Sequence, residues 1–179
     1  VGVLVLWWRV TGNPVCQLRF FPLRQNRMAG RSGRVNDRFA VLIAKDSKYP
    51  AEVAVFLAHE LGHVWLGHLR DEPVVVDFEQ ERPSLGEVDS EEQAADRFAL
   101  ELLTGEPELT VLPQGTTYGA RGLARVAISS ADQLRIEPGV LAMCFGYSTK
   151  DWSTAYAALR SIYKGQPPAW EQVNSIAWS

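Results

Sequence analysis

Cysteine, histidine and methionine are scarce in this chain of 179 residues, which has 2 Cys, 3 His and 2 Met. Cys16 and Cys144 stand far apart, so there is no C-x-x-C spacing to build a structural zinc site and no disulfide framework. A reducing compartment, the cytoplasm, is the expectation. No apolar run approaches the roughly 20 residues that a membrane span requires. An excess of positive charge is missing too. With 18 Lys and Arg against 21 Asp and Glu, the net charge is -3, which gives no support for direct nucleic-acid binding. The one local basic cluster, Arg24, Arg27, Arg31 and Arg34, falls in a Gly- and Asn-containing stretch and reads as a solvated loop. Internal repeats and low-complexity stretches are absent. Val1 to Trp8 is apolar but lacks a basic leader and a small-residue cleavage site, so it reads as a strand and not a signal peptide. The chain opens on Val1 in place of Met, and any upstream segment would bear on the localisation.

At 46% hydrophobic and 22% charged residues, residues 1–179 suit a single globular domain. Val3 to Trp8 is a β-branched and aromatic run ended by Thr11-Gly12-Asn13-Pro14, a strand and a turn. Val15 to Leu23 has a weaker strand pattern, Met28 to Asp37 reads as loop, and Phe39 to Ala44 reads as a third strand. Pro50 suits the first turn of a helix. From there to about Leu69 the chain is apolar almost all round, through Val53, Val55, Phe56, Leu57, Leu61, Val64, Trp65 and Leu66, which predicts a buried helix. After Gly105, Leu109 to Leu112 suggests a short strand. Leu123 to Ala127, Pro138 to Phe145 and Trp152 to Tyr163 read as helices of a C-terminal subregion, residues 119–179, with Met143 and Cys144 in the core. Strands before Pro50 and helices after it predict an α+β domain.

Within the apolar helix stands Ala58-His59-Glu60-Leu61-Gly62-His63. At four residues' spacing His59 and His63 lie one turn apart, about 40° from each other around the axis, so both imidazoles reach one metal ion. Glu60 flanks the same face, where it reaches a water beside the metal without being a ligand. This is H-E-x-x-H, the zinc peptidase helix. Two imidazoles and a carboxylate on a greasy helix are costly unless a metal, a water and a further carboxylate satisfy them.

A third protein ligand is then needed. His68 is the one histidine left, five residues after His63 where the metzincin pattern has six. If the helix continues, His68 points about 140° away from His63, and it reads as a capping or surface histidine near the helix end. A carboxylate is the alternative, and Ser90-Glu91-Glu92-Gln93 offers one. Ser90 with Gln93 forms a capping box that starts a second helix, running to about Leu103. Its buried stripe is Ala95, Phe98, Ala99, Leu102 and Leu103, with small residues that let it approach the first helix. Glu92 extends that stripe by one turn, and Asp96 lies one turn further on. Either Glu92 closes the metal site, or Glu91 and Glu92 are an exposed pair favouring the helix dipole.

His59-Glu60-Leu61-Gly62-His63, followed by Glu92-x-x-Ala95-Asp96-x-Phe98-Ala99-x-x-Leu102-Leu103, resembles the ImmA/IrrE-type metallopeptidases. Their usual form is H-E-L-G-H and then E-x-x-A-N-x-F-A-x-x-L-L. The resemblance covers about Phe39 to Leu103. It implies a gluzincin-like, zincin-type fold with a small N-terminal sheet, zinc (or manganese) held by His59, His63 and Glu92, and Glu60 as general base. Asp96 stands where the family commonly has Asn. Glutamate zincins with an E-x-x-x-D element use that Asp to buttress a ligand histidine, which implies such a role here. Family members are often encoded beside helix-turn-helix repressors and cleave them, so a DNA-binding repressor is the implied protein partner.

The resulting expectation is a cytoplasmic zinc endopeptidase that hydrolyses a peptide bond in a specific protein, without direct contact to nucleic acid or membrane. A metal-binding sensor or an inactive interaction module on the same scaffold is the alternative. Tyr118, Tyr147 and Tyr156 are the candidates to stabilise an oxyanion, and spacing does not choose among them. Phe39 to Ala44, just before the metal helix, is expected to be the sheet edge along which an extended substrate pairs.

Overall fold

The computed structural model describes residues 2–9, 17–22, 28–35, 38–43, 48–69, 74–78, 90–109, 119–169 and 171–172. Among them run, in order, β1 (Gly2–Arg9), β2 (Gln17–Pro22), β3 (Met28–Val35), β4 (Arg38–Ile43), α1 (Pro50–Leu66), β5 (Val74–Phe78), α2 (Ser90–Thr104), α3 (Ala120–Leu134), α4 (Pro138–Thr149) and α5 (Trp152–Ile162). No helix among the described residues is long and apolar enough to cross a membrane.

The strands form one antiparallel sheet in the order β2-β1-β4-β3-β5. Leu6 faces Leu18 on one side and Val41 on the other, and Ser32 of β3 also pairs with Val41. Three expectations change here. Met28–Val35 is a strand and not a loop, because β4 and β5 take up its backbone groups on both sides. Pairing thereby overrides a Gly- and Ser-containing sequence with little strand propensity. Arg31 and Arg34 consequently sit on a strand, while Arg24 and Arg27 lie outside the described residues. β4 is interior, bonded to β1 and β3, so it has no free edge for a substrate. The edges are β2 and β5, and β5, a Val-Val-Val run, has no counterpart in the sequence reading. Leu109 lies in no strand, and residues 110–112 fall outside the described set.

α1 separates the sheet from the other helices. One face, Val53, Phe56, Leu57, Leu61 and Val64, packs around Val41 of β4. Another face sends Ala51 and Val55 into the main core with α3, α4 and α5. Leu123, Leu141 and Leu159 lie there at 0% exposure, contributing roughly 2 kcal/mol each from burial. Met143 and Cys144 are in that core, as expected. Burial is not complete around α1: Trp65 is 73% exposed and stacks on Phe98 of α2 with ring centroids 6.5 Å apart.

Both ends of α1 are fixed by specific bonds. Pro50 occupies the first turn, and Tyr49 at the cap offers no side-chain bond. The Ala51 N–H is instead accepted by the Tyr163 hydroxyl at 3.3 Å, which itself donates to Glu137 Oε1 at 2.7 Å. Glu137 also caps α4 through Val140 N–H at 2.9 Å, so one tyrosine ties the starts of two helices together. Tyr156 adds a bond to Glu52 Oε1 at 2.8 Å. At the other end the helix stops at Leu66, short of the expected Leu69, because Gly67 turns left-handed at φ 83°.

α2 lies closely on α1 at Gly62. A Cβ at Gly62 would stand 3.1 Å from the Ala95 Cα and 3.2 Å from its carbonyl oxygen. Ala95 and Ala99 are buried as expected, but Leu102 is 56% exposed and Leu100, at 9%, takes its place. Ser90 opens α2 at the boundary of the described residues. Gly62→Ala is expected to destabilise by roughly 1–2 kcal/mol. Overpacking against α2 backbone outweighs the gain in helix propensity of about 1 kcal/mol. A urea titration showing the variant at least as stable as wild type would refute the close-packing argument.

Candidate metal centre

His59 and His63, one turn apart on α1, aim their Nε2 atoms at a common point and lie 3.0 Å from each other. Glu92, in the first turn of α2, brings Oε2 to 3.1 Å from His59 Nε2 and Oε1 to 3.4 Å from His63 Nε2. Zinc with ligands at 2.0–2.1 Å sets the edges of its tetrahedron at about 3.3 Å, so these three side chains are spaced as ligands around one ion. They form a group able to hold a metal.

The surrounding bonds decide which atoms carry protons. His59 Nδ1 lies 3.0 Å from Asp96 Oδ1, and an ionised carboxylate only accepts, so the proton is on Nδ1 and the Nε2 lone pair faces inward. His63 Nδ1 lies 3.0 Å from Nδ1 of His68. With the proton there on His63, two imidazole lone pairs and a carboxylate converge within 3.4 Å. Three acceptors so close repel one another unless a cation stands between them, which is the fit expected of a metal site.

Taken with protons alone, the same electrostatics appears in the titration. Burial pulls His59 toward neutrality, yet hydrogen bonds and charges from Asp96 and Glu92 outweigh it and raise the ring from 6.5 to about 10. Hydrogen bonds from His59 and His63 hold the Glu92 carboxyl well below the usual carboxylate range. A proton thus does the work of the missing charge.

His59, Glu60 and His63 are buried, at 7, 2 and 1% exposure. The Glu92 and Asp96 side chains keep 38 and 37%, so the cluster opens to solvent on the α2 side, as a reactive metal site requires. Glu91, its neighbour on α2, is exposed and takes no part in the cluster. A cavity of about 500 Å³ is lined by Asp96, Gln93, Arg97, Tyr147 and Lys150. Of the cluster, Asp96 borders this cavity, while His59, His63 and Glu92 do not line it.

His68 departs from its expected place. Its backbone N–H closes the helix end on the His63 carbonyl at 3.0 Å, as a capping residue should, but its side chain is half-buried and turned back onto His63 and does not point away. Among the tyrosines, Tyr156 donates to Glu52, two turns before His59. Tyr147 packs edge-on against Trp152 with centroids 5.0 Å apart, and Tyr118 lies outside the described residues. The buried Cys144 thiol is pushed up to about 12 by burial, so it offers no thiolate nucleophile near neutral pH.

Two helices presenting an H-E-x-x-H pair and a facing glutamate define the metallopeptidase class of site. The comparison with known families agrees. The family model Peptidase M78, the IrrE N-terminal-like domain, matches residues 16–135, well over half the chain, and the protein belongs to that family. The match runs past α1 and α2 at both ends, from β2 through the end of α3. No curated protein and no solved structure matches.

Zinc bound at pH 7 should displace the Nε2 proton of His59, because that pKa is raised to about 10 and proton and metal compete for one lone pair. About one proton is therefore released per ion, and affinity rises with pH up to about 10. Calorimetry in buffers of different protonation enthalpy counts the protons, and zero release would contradict the assignment. Glu92→Gln should lose the metal in the same titration, whereas Glu91→Gln retains it.

Proposed function

We propose that this chain is a zinc-dependent endopeptidase with a zincin-like arrangement, in which His59, His63 and Glu92 hold the ion and Glu60 is the general base. The observation that carries this is the set of three donors spaced for one ion, open on one side and adjoining a buried glutamate on the same turn of α1. Zinc, or manganese in its place, supplies polarisation of the scissile carbonyl and a lowered pKa for the attacking water.

The remaining chemistry belongs to the chain. Glu60, next to His59 in a dry environment, takes the proton of the attacking water and passes it to the leaving amine. Asp96 fixes the tautomer and orientation of His59, keeping its Nε2 lone pair inward. The open flank beside Glu92 admits the substrate backbone. Glu60→Gln should therefore keep metal stoichiometry near wild type and lose at least about a hundredfold in hydrolysis, whereas His63→Ala loses metal and activity together. Metal release from Glu60→Gln would overturn the assignment of base and ligands.

The resemblance to ImmA/IrrE-type peptidases supports a helix-turn-helix transcriptional repressor as substrate. The setting would be a cytoplasmic stress response in which cleavage releases the repressed genes. The acidic balance of the chain, net charge -3, suits a basic DNA-binding partner, whose association would weaken as salt rises. Incubation of the zinc form with the repressor encoded nearest to it, and with casein, tests this. The expected result is cleavage of the repressor alone; equal cutting of casein would point to a general peptidase.

A further inference from the structure

The end of α1 carries a second arrangement directed at the metal position. Gly67 is left-handed at φ 83°, and its N–H reaches the Val64 carbonyl at 3.3 Å while the His68 N–H reaches the His63 carbonyl at 3.0 Å. These two bonds form a Schellman stop, in which the second residue past the helix folds back over the residue that begins its last turn. An apolar pair commonly fills that contact. Here the pair is His68 on His63, with Nδ1 atoms 3.0 Å apart and ring centroids 5.1 Å apart at 70°.

Position and chemistry fix the direction of this bond. His63 must turn a lone pair toward His59 and Glu92, so its own proton sits on Nδ1. His68 Nδ1 must then accept, and its proton sits on Nε2. His68 also faces the wrong edge of the His63 ring to be a ligand, since the metal position lies on the Nε2 side. We infer that His68 is a positioning residue: delivered by the Gly67 helix stop, it accepts the His63 Nδ1 proton and holds that ring in the tautomer and orientation that bind the metal. This rests on the metal-centre reading above and adds a residue to it.

The two ligand histidines are then held in different ways. His59 is oriented across the helix interface by a carboxylate on α2, whereas His63 is oriented by a neutral ring on the terminus of its own helix. A second carboxylate at position 68 would have placed another negative charge beside a site that already holds Glu92 and Asp96. An imidazole acceptor supplies direction without that charge.

The test is Co(II) binding followed by its visible absorption, together with NMR of the zinc form labelled with ¹⁵N-histidine. His68→Phe keeps a ring and removes the acceptor, and Co(II) affinity should fall about 10- to 100-fold. His68→Asn, whose Oδ1 stands near the Nδ1 position, should recover most of that loss. Gly67→Ala, which resists the left-handed turn, should weaken Co(II) as well, and Gly67→Asn, which tolerates it, should not. In the wild type, NMR should show a proton on His63 Nδ1 and a coupling across the hydrogen bond to His68 Nδ1, an observation that needs no variant. Co(II) affinity unchanged in His68→Phe, His68→Asn no better than His68→Phe, or absence of that coupling would overturn the inference while leaving the metal centre standing. A wild-type chain that takes up no Co(II) would overturn both.

Discussion

The close contact between α1 and α2 is the constraint on which the site depends. His59 and His63 belong to one helix and Glu92 and Asp96 to the other, and hydrogen-bond distances between them exist only because the helices meet at Gly62 and Ala95. A side chain at position 62 would push the axes apart by a few tenths of an ångström, lengthening the 3.1 Å approach of Glu92 to His59 toward the outer limit of hydrogen bonding. The glycine in His59-Glu60-Leu61-Gly62-His63 is thus a packing residue that sets metal geometry. Helix α1 is in turn fixed from outside, at its start by Tyr156 of α5 and Tyr163 just after it, and along one face by Val41 of the sheet.

Electrostatics explains why such a contact is worth maintaining. Four ionisable side chains meet in a region where two of them are almost fully buried, an arrangement that charge burial alone disfavours. The second contacts turn that cost to use. With a cation bound as proposed, Asp96 and His68 would take the outward ring protons and leave the inward-facing atoms as acceptors for the ion. Affinity for the ion and the stability of the α1–α2 contact become one quantity, because ligands from separate helices come together only in the folded chain.

What the sequence made legible follows from how local each feature is. The helices were readable from their periodicity, and α1 also from Pro50, because those signals lie within one segment. The His59 and His63 pairing needs only the helical repeat, and the same repeat puts Glu92 and Asp96 on one face of α2, but the choice between Glu92 as a ligand and as one of an exposed pair depends on how α2 meets α1, which lies beyond local sequence. The sheet was less legible. β3 is a strand through its partners and not its residues, and the interior place of β4 depends on pairings distant in sequence. His68 was misplaced for a different reason. Helical periodicity does not extend past Gly67: a glycine four residues after His63 is a helix stop, and the stop itself predicts that the next residue folds back on His63. The signal was present, but it belonged to capping and not to periodicity. Leu102 is a smaller case: the α2 stripe rotates toward Leu100, because its direction is set by where α1 lies.

The division of labour around the two ligand histidines has a mechanical consequence. His63 and its acceptor move as one body with α1, since both belong to that helix and its cap. His59 is held from α2, by the same helix that carries Glu92. A shift of α2 along α1 would therefore disturb one ligand and the orientation of a second while leaving the third in place. The acidic ligand and the Asp96 buttress are also the more exposed members of the cluster, on the flank where a substrate would enter. The centre is thus most enclosed on the buried side, which is where Glu60 lies and where, on the proposed reading, it would meet the attacking water. It is most open beside Glu92 and Asp96, where the proposed substrate segment would lie.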